Sequence, residues 1–283
     1  MAGRFGGDTG EFRLDSALAR LADAGYGANW SITEKKKALI KFGRNTTLAL
    51  NTRSTLWNVG PANEVYLTAA QGNLITVISS TSNSDVGKVI YIEGHKFVDG
   101  QFIFVAQRVT CNGQTRVTLP TPLCRCSRMV DESIGVTVGN IWAYQGAGTT
   151  TSGGAPANLA FAHAVIRGTD TQKQTYKGAT TISSTEAFLI TALTFAISKK
   201  QAATVDFAIE SAKLVSAGIG QEKGFTPAFG EITLNSAGQS SLRLELEPVI
   251  TIPPNHEVRG IGTSSAANAQ GNVTFSGYLA TRT

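Results

Sequence analysis

The sequence predicts a mainly β protein: two antiparallel β-sandwich or jelly-roll-like domains preceded by a short helical N-terminal arm. Three observations predict it. Only 16% of the 283 residues are charged, against 42% apolar, which excludes disorder throughout and implies an uncharged, Thr/Ser/Gly-rich surface. Apolar residues recur with a helical period only within the first sixty residues, and with a period of two from about Val59 onward. A run of small residues, GAGTTTSGGAP at 146–156, then interrupts the period-two region as a flexible connection would. The expected division is an arm over 1–58, a β domain with a hairpin meander over 59–145, a linker over 146–156 and a C-terminal sandwich over 157–283.

In the arm, Leu14, Leu18 and Leu21 share one helical face that stops at Gly25. Ser31-Ile32-Thr33-Glu34 matches a capping box, in which the serine oxygen takes an orphan amide and the glutamate reaches back to the cap. A second helix is expected from there to about Phe42. Residues 1–60 hold nine Lys/Arg and five Asp/Glu, whereas the remaining 223 hold sixteen and fifteen. The excess of four positive charges makes Arg13, Arg20, Lys35, Lys36, Lys37, Lys41 and Arg44 the candidate partner-binding residues. A packed helical pair and an arm reaching a neighbouring subunit are both open. Lys35-Lys36-Lys37 could meet phosphate, but no aromatic interleaving or recognition motif accompanies it, so no specific nucleic-acid role is expected.

Within 59–145, Asp99-Gly100 and Asn112-Gly113 sit between strand-like runs, where both central residues of a tight hairpin need positive φ. They predict three consecutive strands in a meander. The middle strand, about 102–109, is apolar on both faces at its start, as in a strand buried between layers. Further strands are expected at 74–78, 89–92, 136–138 and 141–144. Beyond the linker, strands are expected at 180–184, 188–198, 204–212, 231–234, 241–247, 249–252 and 273–280, spaced as in a sandwich or jelly roll. Leu242, Leu244 and Leu246 alternate with Arg243, Glu245 and Glu247, giving one core face and one charged face. Pro248 and Pro253-Pro254 confine that region to an edge or strand ends.

The chemistry-bearing residues form no recognisable constellation. Gly-x-Ser-x-Gly and the P-loop are absent, and Gly218 to Gly224 departs from a glycine-rich phosphate loop in its third glycine, one residue late, and in the Pro227 that follows. Cys124-Arg125-Cys126 with Cys111 and His95 lack zinc spacing and read as buried free thiols. His95, His163 and His256 stand apart from one another, and Asp131-Glu132 would face opposite ways on a strand. Trp142 and Tyr144 share a strand face as core or interface. No enzyme activity, cofactor or metal is expected, although distant carboxylates could still join in a glycosidase-type groove. The longest nearly apolar stretch, 187–197, reaches about half of the ~20 residues of a membrane span. No secretory leader follows Met1, which reads as an unprocessed intracellular product.

Two segments carry a resemblance. VDGQFIFVAQRVTCNGQTRVTLPTPLCRCSR, ending at Arg128, and IPPNHEVRGIGTSSAANAQGNVTFSGYL, from Ile252 to Leu279, resemble the β domains of tailed-bacteriophage virion structural proteins, of capsid decoration or cement type. The likeness is one of pattern and carries over no functional residue. It implies assembly in the host cytoplasm, exposure on the capsid surface of the virion, a major capsid protein as partner and a homotrimer. A tail, neck or fibre component that attaches to a host surface, a host glycan included, is the alternative. A tail-borne glycan-degrading enzyme is the second.

Overall fold

The computed structural model describes residues 37–57, 74–146, 151–197, 203–214 and 226–281. Its elements are, in order, β1 (Lys37–Leu48), β2 (Ser54–Thr55), β3 (Ile75–Ser80), β4 (Val89–Val98), β5 (Gln101–Thr110), β6 (Val117–Leu123), β7 (Arg125–Asp131), β8 (Ile141–Gln145) and β9 (Thr151–Ser152). There follow β10 (Ala155–Pro156), β11 (Ala162–Ile166), β12 (Ala179–Thr181), β13 (Glu186–Ile197), β14 (Thr204–Lys213), β15 (Thr226–Asn235), β16 (Ser241–Ile252), β17 (His256–Ser264) and β18 (Ala269–Thr281). Two short 3₁₀ turns, Asn83–Asp85 and Leu159–Phe161, are the only helical elements among the described residues. No helix there is long and apolar enough to cross a membrane.

The strands form two units. In the first, an antiparallel sheet in the order β1-β18-β13-β16 faces a second in the order β12-β17-β14-β15, with β2 beside β17. Alternation along each strand sends one set of side chains between the sheets. Phe188 and Phe195 of β13, Phe207 of β14 and Phe275 of β18 meet there in one apolar core. The second unit lies between β2 and β12 in sequence. Its sheets are β11-β8-β3-β6 and β5-β4-β7, and Ile75, Ile90, Phe102, Leu123, Met129 and Ile141 lie in the core between them.

Several expectations change here. The second helix expected to Phe42 is replaced from residue 37 by β1, which pairs along its length with β18; the first helix and the capping box lie outside the described residues. The Asp-Gly hairpin forms, with Asp99 and Gly100 both at positive φ and Val98 opposite Gln101. The expected Asn-Gly turn shifts by one residue: Asn112 is bridged to Thr115, so Gly113 and Gln114 are the central pair, and only Gly113, at φ 58°, has positive φ. The chain then crosses to the other sheet, so β6 pairs with β3 and no three-strand meander results. Accordingly β5 is an edge strand, and Ile103 and Phe104 are exposed rather than sandwiched. Residues 136–138 form a loop, not a strand, with Val136 and Val138 exposed and Thr137 buried between them.

The boundary expected at 146–156 also moves. β11 lies beyond that segment yet pairs with β8, so the described inserted unit runs on to about residue 177. Within the segment, β9 and β10 make a small hairpin against Trp142 and Tyr144, whose cluster includes Ala155 at its margin. Ser79 Oγ donates to Gly154 O at 2.6 Å and bonds the Tyr144 hydroxyl at 2.7 Å. Gly154 has φ 78°, and a Cβ there would lie 1.8 Å from Ser80 O. Glycine serves close approach at this point rather than flexibility.

Candidate functional site

Of the seven basic residues expected to bind a partner, Arg13, Arg20, Lys35 and Lys36 lie outside the described residues. Lys37, Lys41 and Arg44 all fall on β1. Five basic and five acidic residues cancel within 1–36, so the whole excess of four comes from Lys37, Lys41, Arg44 and Arg53. These belong to the sandwich, not to an arm. Arg53 is spent internally: its guanidinium meets Glu210 at 2.7 Å and Glu231 at 3.0 Å, while Arg259 holds the other Glu210 oxygen at 3.0 Å. Lys41 is the clearest correction. Every second residue of β1 from Leu39 to Asn45 turns inward, so Lys41 is buried and its ammonium donates to Ser127 O of β7. Burial, with Lys177 nearby, lowers its pKa to about 8. A side chain so placed fixes the seam between the two units and offers nothing to an outside partner.

That seam is built mainly by β7. Arg125 and Glu257 meet across it at 3.1 Å with both side chains buried, and Lys177 reaches Cys126 O and His163 O, each at 3.4 Å. Phe102 and Ser184 exchange two hydrogen bonds, at 2.7 and 3.0 Å. An opening of about 460 Å³ remains at this level, lined by Lys37, Lys41, Glu93, His95, Phe104 and Glu186 among others. The Lys37 ammonium stands over the Phe104 ring, 4.4 Å from its centre, a cation–π contact that covers part of that exposed aromatic.

The chemistry available there is limited by burial. His95 Nε2 lies 3.2 Å from Ser183 Oγ, the spacing of a nucleophile and base. Desolvation, then the positive charges of Arg125, Lys41 and Lys37, depress its pKa to about 3, and its Nδ1 has no hydrogen-bond partner. A base so weak, with no carboxylate to orient it, cannot activate a serine near neutral pH. His163 is held well below the ordinary range by burial as well. Cys111, Cys124 and Cys126 are free and buried, and desolvation raises their pKa values to about 11, 12 and 11. They stay protonated near neutral pH, which makes them poor nucleophiles. Among the described residues, no three His, Cys, Asp or Glu converge as metal ligands would.

What the chain presents outward is contact surface. Val86, Ile134, Val136 and Val138 are exposed at one end of the inserted unit, Ile134 almost completely. Asp85 shapes this tip: buried, it accepts from Ser80 Oγ at 2.5 Å and from the amides of Val138 and Gly139, both at 2.8 Å. Lys88 holds Ile134 O at 3.0 Å. The Asp85 network is not legible in sequence, because no local motif links residue 85 to residues 138 and 139. A second surface is the open side of the sandwich, where edge strands β15 and β16 leave an apolar groove of about 720 Å³.

No protein-family model matches the chain, and no curated protein matches it. Among solved structures it is similar to the infectious bursal disease virus VP2 subviral particle, with 9% identity over 94% of this chain and 77% of that one, at a TM-score of 0.20. It is also similar to the Gt strain of that virus, with 11% identity over 93% and 75% of the two chains, at a TM-score of 0.21. Scores of this size show neither a shared fold nor a shared role.

Proposed function

We propose that this chain is a structural component of a virus particle, working through its outer surfaces rather than through a reaction. The strand order carries the reading. Taken along the chain, β1, β12, β13, β14, β15, β16, β17 and β18 fall in the first, second, first, second, second, first, second and first sheet. With the two-residue β2 set aside, two four-stranded sheets filled in that sequence make a jelly roll, an arrangement recurrent in viral capsid and lectin domains. The four phenylalanines fill the core between the two sheets. Fold alone does not assign function. The exposed apolar tip and the weakly charged surface add support, because both suit packing against neighbours.

Within the particle, the finer reading is a capsid decoration or cement protein on the head surface, in contact with the major capsid protein and with further copies of itself. The inserted unit would present the Val86 and Ile134 tip to the lattice. Immunogold labelling of intact virions, with polyclonal antibodies raised against the full chain, tests this placement. Labelled heads support it; label confined to tails moves the chain to a tail, neck or fibre role; unlabelled particles contradict a virion role.

A further inference from the structure

β16 is the free edge of its sheet: β13 pairs with one side at 241–245 and 250–252, with β16 bulging between them, and no strand among the described residues pairs with the other side. Its Leu242, Leu244 and Leu246 turn inward but are only half-buried, whereas Arg243, Glu245 and Glu247 are exposed on the outer face. The apolar groove against Ala228 and Phe229 of β15 runs beneath it. An exposed edge with a half-covered apolar face invites a further strand.

We propose that the added strand is β16 of a second copy, antiparallel, with a two-fold axis at Leu244. The charge pattern selects this occupant and this register. Centred on Leu244, residues 243 and 245 oppose one another, so Arg243 meets Glu245 of the second copy and the reverse pair forms with it. Leu242 then opposes Leu246, and Leu244 opposes itself. Arg243 already binds Glu245 within its own strand at 2.8 and 3.0 Å, so the four charges close into an alternating square. Centring on residue 243 sets arginine against arginine, centring on 246 sets Glu245 against Glu247 twice, and centring on 245 keeps two Arg243–Glu247 pairs but sets Glu245 against itself, so only the register centred on 244 pairs opposite charges with no like-charge contact. Pro248, lacking an amide hydrogen, bounds the paired segment. The two first sheets thereby join into one eight-stranded sheet through an isologous contact. The inference does not depend on the virion assignment, since it concerns the purified chain in solution.

Sedimentation equilibrium of the full chain tests it, with Arg243→Glu, Glu245→Arg and the double exchange. Both side chains are largely exposed, and far-UV circular dichroism checks that each variant is folded. The wild type should dimerise with concentration. Each single variant turns the square into four like charges and should raise the dissociation constant about tenfold or more; the double exchange should restore it. Leu244→Cys gives an independent readout, because two copies of residue 244 on the axis lie about 4.5–5.5 Å apart at Cα, within disulfide reach. A disulfide-linked dimer of this variant should form under mild oxidation. A wild type that stays monomeric, a trimer indifferent to the single exchanges, a double exchange no better than the singles, or a Leu244→Cys variant that does not cross-link would each overturn the proposal.

Discussion

Lowering the pH from 7.5 to 4.5 should remove stability that this fold gains by keeping His95 neutral. In the unfolded chain the imidazole titrates at about 6.5, and in the folded one at about 3. A base with a depressed folded pKa contributes its full stability above pH 6.5 and loses it as the pH falls toward 3. Two pH units below 6.5, at 1.36 kcal/mol each, amount to about 3 kcal/mol, a large share of the usual 5–15 kcal/mol. His163 acts in the same direction. The assay is urea unfolding followed by tryptophan fluorescence at intervals between pH 7.5 and 4.5, for wild type and His95→Gln. Glutamine keeps a polar group beside Ser183 and does not titrate. The stability difference between the two proteins should change by about 1.4 kcal/mol per pH unit below 6.5, the wild type losing more. Parallel pH profiles would refute the reasoning, since His95 would then take up its proton equally in both states.

Three further perturbations probe the architecture. Gly154→Ala should cost about 2 kcal/mol or more in urea unfolding, because φ 78° and a Cβ 1.8 Å from Ser80 O admit no side chain; a neutral effect would mean that the β9–β10 hairpin is not seated on β3. Glu257→Gln should cost about 3–5 kcal/mol by stranding buried Arg125, whereas Arg125→Met with Glu257→Leu should recover most of that loss. A double variant as weak as the single would refute the ion-pair account. Deletion of residues 1–45 should leave a chain without cooperative thermal unfolding, since it removes most of β1 and uncovers β18; a cooperative transition like that of the full chain would contradict the assigned sheet.

How much is legible in the sequence varies with what each strand buries. β16 and β18 alternate apolar and polar residues clearly, β13 shows instead as a nearly apolar run, and Pro248 marks β16 as an edge or strand end. β1 misleads because its inward positions include Lys41, Gly43 and Asn45, while Ile40 points to solvent. With polar groups inside and an isoleucine outside, the period of two disappears and the preceding capping box dominates. Glycine at 154 reads as linker chemistry, although it serves a backbone contact that only the folded chain reveals. The insertion is illegible for another reason: pairing of β1 with β18 joins residues over two hundred positions apart, which no local pattern records. The candidate site shares that fate. Net charge marks this stretch as basic but cannot show that Lys41 is buried and Arg53 already paired.

The most direct test of the virion reading is the copy number of this chain in purified particles relative to the major shell protein, by quantitative peptide mass spectrometry. A head-covering component predicts a count comparable to that of the shell protein. Absence of the chain from the particle would contradict the reading.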